Sequence, residues 1–148
     1  MRSAYVFNLT KYVSWPQQKH TLLIGLVGNT DTGAAVKAML DGRSSDGRII
    51  RVLVNPGDSM LPGCDLVYLS GGVPSGESHI FTLIKGLPIL TVGEDRTFPM
   101  SGGMVGLVRS ADRIEIEVNL SAVRAAGLKM SSRVLDLATI VSSRERPE

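Results

Sequence analysis

One turn in this sequence has the spacing of a site for chemistry. Gly28-Asn29-Thr30-Asp31-Thr32-Gly33 follows an apolar run and has the four-residue gap between glycines found in phosphate-binding loops. Such a loop continues with Lys and then Ser or Thr, which reach the phosphates and hold magnesium. Here Ala34 and Ala35 follow, so nucleotide hydrolysis is excluded. The turn can still offer backbone N–H groups to an anion, with Asn29 and Thr30 as candidate ligands. The structural alternative is helix capping by Thr30 or Asp31. A second glycine pair, Gly71 and Gly72, follows Ser70 at the end of another apolar run. Glycines there let a ligand approach the backbone, and they equally suit a tight turn. Arg109 is the candidate cation for an anion held between these turns.

Other reactive residue types are dispersed. Ser75 is preceded by Val73-Pro74, not by the GxS of a nucleophile elbow, and His79 lies one helical turn on with no evident acid to orient it. Asp65, Glu77, Glu94, Asp95 and Asp112 fall singly on loops and caps, without a spacing for acid–base work or metal binding. The single cysteine, Cys64, excludes both an intrachain disulfide and a multi-thiolate zinc site, and no neighbouring His or Lys would activate it. His20 and His79 form no HExxH-type pair. These patterns point to no catalytic residues, metal or cofactor.

Composition bounds the fold and excludes some partners. Hydrophobic residues make up 43% of the 148-residue chain and charged residues 20%, enough apolar content for one ordered domain. A net charge of +2 is too small for a dedicated nucleic-acid surface, and 5% aromatics provides few platforms for base stacking. No run reaches the ~20 apolar residues of a membrane span.

The elements follow from periodicity. Residues 3–13 read as a helix with Tyr5, Val6, Leu9, Tyr12 and Val13 on its apolar face, stopped by Pro16. TLLIGLV (21–27) is continuously apolar, as suits a strand buried on both faces of a parallel sheet. A helix through Val36, Met39 and Leu40 follows, closed by Gly42. Strands are expected at 49–54, 66–69 and 88–92, with a helix at 75–85 before the last. Residues 104–108 and 113–118 then form a hairpin. In its second strand Ile114, Ile116 and Val118 alternate with Arg113, Glu115 and Glu117, which read as a solvated edge or a protein contact. A short helix at 120–126 and a final one from Ser131 or Ser132, with Val134, Leu135, Leu137, Ala138 and Val141 as its buried stripe, complete the pattern. The expected fold is a single three-layer α/β domain over residues 1–141. Its mixed sheet has about six strands, ends in an antiparallel hairpin and is flanked by about five helices. Residues 142–148 read as a flexible tail.

Several segments, taken in order, resemble the YfiR-like family of bacterial exported proteins. They are AYVFNLTKYVSWP (4–16), Gly28-Asn29 with Gly33-Ala34, CDLVYLS (64–70), PILTVG (88–93), GGM (102–104), EIEVNL (115–120), RAAGLKMSS (124–132) and LDLA (135–138). The resemblance implies a periplasmic repressor that binds the periplasmic part of a membrane-bound diguanylate cyclase and holds down cyclic-di-GMP synthesis. It also implies an outer-membrane lipoprotein that sequesters the repressor, a homodimer, and a signal peptide removed on export. Family members often carry a cysteine in the first strand, suited to pair with the one before the third. The matching position here is Gly25, so the resemblance implies that this chain lacks that pair.

Two readings of function follow. The first is a regulator acting by protein contact, with Tyr5, Leu9 and Tyr12 on the first helix and Arg113, Glu115 and Glu117 on the alternating strand as candidate partner or dimer surfaces. The second is a small-molecule sensor that binds an anionic metabolite through Asn29, Thr30, Gly71, Gly72 and Arg109, without catalysis.

Overall fold

A computed structural model describes residues 2–16, 20–70, 77–100 and 103–141. The expected tail at 142–148 lies outside them. Helix α1 (Arg2–Tyr12) leads into a two-residue strand β1 (Val13–Ser14). Then come β2 (Thr21–Val27), α2 (Asp31–Leu40), the short β3 (Ser44–Ser45) and β4 (Arg48–Val54). A 3-10 turn at Leu61–Gly63 precedes β5 (Leu66–Leu69), α3 (Glu77–Ile84) and β6 (Leu90–Gly93). The last part comprises α4 (Thr97–Met100), β7 (Val105–Ser110), β8 (Arg113–Asn119), α5 (Leu120–Ala125), β9 (Lys129–Met130), α6 (Ser132–Leu137) and β10 (Ala138–Val141).

Eight strands form one mixed sheet in the order β10-β8-β7-β6-β5-β2-β4-β3. β2 runs parallel to β4 on one side and to β5 on the other, which is why its sequence is apolar without alternation. Side chains along β5 divide between two cores. Leu66 and Tyr68 join a large cluster with Ile24 and Leu26 of β2, Val6 and Leu9 of α1, Val36 and Leu40 of α2, Val123 of α5 and Val134 of α6. Val67 and Leu69 point the other way, into a smaller cluster with Leu61, Ile84, Ile89 and Phe98. The period of two along the strand thus builds the three layers. Each fully buried Leu or Ile contributes about 1.5–3 kcal/mol relative to exposure.

Local signals set the element ends. The Thr30 hydroxyl accepts from the Gly33 N–H (3.1 Å), capping α2, and Gly42 (φ +84°) turns the chain out after it. Asn55 binds Gly28 twice: its Oδ1 accepts from the Gly28 N–H (2.9 Å) and its Nδ2 donates to the Gly28 carbonyl (3.2 Å). This ties the end of β4 to the end of β2.

Several regions depart from the sequence expectation, which included neither α4 nor the two-stranded pairing of β1 with β9 and placed Val13 in the first helix. Residues 131–141 are not one helix: α6 stops at Leu137, and Ala138–Val141 straighten to pair in parallel with β8, Ala138 beside Ile116 and Ile140 beside Val118. The run Ala-Thr-Ile-Val is rich in β-branched residues, which disfavour helix, and β8 has an open edge to be paired. Leu137, expected in a buried stripe, is 78% exposed. β10 and the short β3 bring the sheet to eight strands rather than six. β8 is therefore an interior strand, not the solvated edge its alternation suggested. The hairpin link is also tighter than residues 109–112. β7 and β8 pair through Ser110 and Arg113, leaving Ala111 (φ +58°) and Asp112 as the turn.

Candidate functional site

Strand order reverses between β2 and β5: from β2 the chain passes to β4 on one side, and later returns to β5 on the other. In open α/β sheets such a point, beyond the strand C-termini, is the usual ligand crevice. Here its inner side is filled by Ser70. A Cβ on Gly28 (φ +116°) would stand 2.5 Å from the Ser70 Oγ and 2.6 Å from its carbonyl oxygen, and one on Gly33 would stand 3.1 Å from the same Oγ. Ser70 in turn donates to the Val27 carbonyl (3.1 Å). The glycines of the turn thus admit a neighbouring strand end. Thr30 is committed to its cap, and Asn29 is exposed. Gly71, Gly72 and Ser75 lie outside the described residues. Arg109 is exposed near the end of β7, which β5 and β6 separate from β2, roughly 14 Å at about 4.8 Å per strand. The structure does not bring Arg109 to the Asn29–Thr30 turn.

Beside this crevice is a pair that sequence reasoning missed. The Tyr68 hydroxyl donates to the Glu94 Oε2 at 2.5 Å. Burial first, then the hydrogen bond to Glu94 and its negative charge, push the phenol well above its ordinary value of 10.0, while Arg2 pulls it partly back. Tyr68 is therefore neutral across the physiological range and acts as a donor. The pair is a pin between the ends of β5 and β6. Its one sequence signal was a tyrosine inside an otherwise aliphatic strand.

Asp65, Asp95 and His79 have structural partners. The Asp65 Oδ2 accepts from the Leu23 N–H (2.9 Å), and the Asp95 Oδ1 accepts from the Phe98 N–H (3.1 Å) and the Thr97 hydroxyl (2.6 Å). His79 is exposed and meets Asp58 at 2.8 Å. No group of three or more His, Cys, Asp or Glu side chains suited to a metal occurs among the described residues. Cys64 is buried, and a Cβ on Gly25 would lie 3.0 Å from its Sγ.

The candidate surfaces resolve differently. On α1, Leu9 is buried in the core and offers nothing to a partner, while Tyr5 and Tyr12 are half-buried. Around Tyr12 and the neighbouring Phe7 stand three exposed cations. Arg43 lies over the Phe7 ring (4.7 Å to the centroid), Arg133 over Tyr12 (6.0 Å), and Lys11 beside both (5.8 and 5.7 Å). On β8, Arg96 bridges Glu115 (3.1 Å) and Glu117 (3.6 Å), and Arg113 stays open to solvent. Under α1, Arg48 is buried. It donates to the Thr10 carbonyl (3.0 Å), lies over the Trp15 ring (5.4 Å), and has no partner for its Nε among the described residues.

A further concavity lies elsewhere, where β6 and β7 begin. It is a groove of about 440 Å3 between α3 and α5. Ile84, Ile89 and Thr91 form its floor, and Phe81, Leu87, Met104 and Ala122 its walls. Lys85 stands at the rim.

No helix among the described residues is long and apolar enough to cross a membrane. A family model described as YfiR/HmsC-like matches residues 1–139 of the chain.

Proposed function

Because the chain belongs to the YfiR/HmsC-like family, a regulatory rather than catalytic family, we propose that it is a periplasmic regulator of cyclic-di-GMP signalling that represses a membrane-bound diguanylate cyclase by direct contact. The observation that carries this reading is the family match over residues 1–139 of the 148-residue chain. A regulator without chemistry acts by differential binding: it favours the inactive state of its target, and a competitor such as an outer-membrane lipoprotein removes it. Driving such a target from about 99% active to about 99% inactive needs about a 10⁴-fold preference for one state. The α1 flank fits this task. Tyr5, Phe7 and Tyr12 supply half-buried aromatic area, and Lys11, Arg43 and Arg133 supply charge for an acidic partner face.

The test is co-expression. The protein, directed to the periplasm, is produced with a full-length membrane diguanylate cyclase encoded beside it, and cellular cyclic-di-GMP is measured. A fall of several-fold, with recovery of the cyclase on the tagged protein, is the expected result. Unchanged cyclic-di-GMP with both proteins present and folded overturns the reading.

A further inference from the structure

The groove between α3 and α5 has no part in the contact mechanism. Its volume, about 440 Å3, lies in the range of small-molecule pockets, and its lining is mainly apolar, with Thr82 and Thr91 as its uncharged polar side chains. The walls are built to leave room. α5 presents Ala122 and Ala125, and its C-cap Ala126, where longer side chains would close the space, and Phe81 opposite is braced against the Phe98 ring (5.9 Å between centroids). The lining has one charge and no carboxylate: Lys85, at the rim. Lys85 directly follows the last residue of α3, where the carbonyl end of the helix favours a cation. It is exposed, with no ion pair within 4 Å among the described residues. The site is therefore an open, mainly apolar trough with one positive charge at its mouth. A polyphosphate or nucleotide would need several donors and would leave the apolar floor uncovered.

We propose that this groove binds a small amphipathic monocarboxylate, its apolar body lying between Phe81 and Ala122 and its carboxylate meeting Lys85. Binding would wedge α3 against α5, giving the domain an input separate from the α1 flank. The proposal does not depend on the repressor reading, since binding is measured on the isolated protein.

The probe is octanoate, titrated by calorimetry and by methyl NMR, with octylammonium as the charge-inverted control. The expected result is a dissociation constant below about 1 mM for octanoate. The shifts should fall on Met104, Ile84 and Ala122 methyls, and octylammonium should bind at least tenfold more weakly. Lys85→Glu, a surface change that leaves the fold intact, should weaken octanoate at least tenfold, while Lys85→Arg keeps most of the affinity. Ala125→Trp at the rim should block entry. Absence of binding, equal affinity for octylammonium, an unaltered constant in Lys85→Glu, or concentration-dependent covering of the groove by a second copy overturns the proposal.

Discussion

A Cβ placed on Gly25 would stand 3.0 Å from the Sγ of Cys64. With an S–S bond of about 2.05 Å, a disulfide keeps each Cβ about 3 Å from the far sulfur, so this separation matches that of a bridge. Gly25→Cys should therefore form a disulfide with Cys64 on air oxidation, read as loss of both titratable thiols in the denatured protein. Closure of this loop should add about 2–4 kcal/mol, raising Tm by roughly 4–12 °C and reversing with reductant. Two remaining thiols would show that the strands sit further apart.

Gly28→Ala tests whether the glycine turn is there for packing. The added methyl would meet both the side chain and the carbonyl of Ser70, at a φ of +116° that only glycine adopts easily. The expected cost is about 3 kcal/mol or more, seen in chemical denaturation. Ser70→Gly should not rescue it, because the clash with the backbone carbonyl remains.

Tyr68→Phe removes the donor to Glu94 and should cost about 1–3 kcal/mol. The wild-type phenol also has a pH signature. Its folded value is raised above the unfolded 10.0, so the stabilisation it brings is complete below pH 10 and is lost as pH rises beyond it. Tyr68 should fail to show tyrosinate absorbance until the protein unfolds in alkali, and that late step should be absent in Tyr68→Phe.

Arg48→Ala leaves the Thr10 carbonyl unsatisfied and uncovers Trp15. Loss of about 2–4 kcal/mol and a red shift in emission from Trp15, the only tryptophan, are expected. Arg48→Met, which keeps the packing over the ring, should cost less and leave the emission nearly unchanged.

Paired charge reversal, Lys11→Glu with Arg133→Glu, should abolish repression of the cyclase while Tm stays within a few degrees, since both side chains are exposed. Reversal of Arg113 alone on β8 should have little effect. Intact repression in the double variant would move the contact face away from α1.

The parts of the fold that were legible in the sequence were those where a local signal and the tertiary environment agree. The apolar run 21–27 became β2 with the expected bounds, and Thr30 and Gly42 marked helix ends because capping and positive φ are local chemistry. Residues 138–141 read as helix because their spacing from Val134 suits one, and only the unpaired side of β8 decides otherwise. The site was less legible for the same reason. The Gly28–Gly33 spacing resembles an anion loop until Ser70, from a different strand, is seen inside it. The groove is assembled from α3, the starts of β6 and β7, and α5, none of which carries a motif.

The two-stranded pairing of Val13 with Met130 joins positions near opposite ends of the chain, and α1 packs against α6 in the same region. α1 also packs on α2, the next helix, so it can dock early, whereas the Val13–Met130 pairing has to wait for the last quarter of the chain. The domain's closing contact therefore joins the first and last parts of the chain, and the fold is sealed only when both are present.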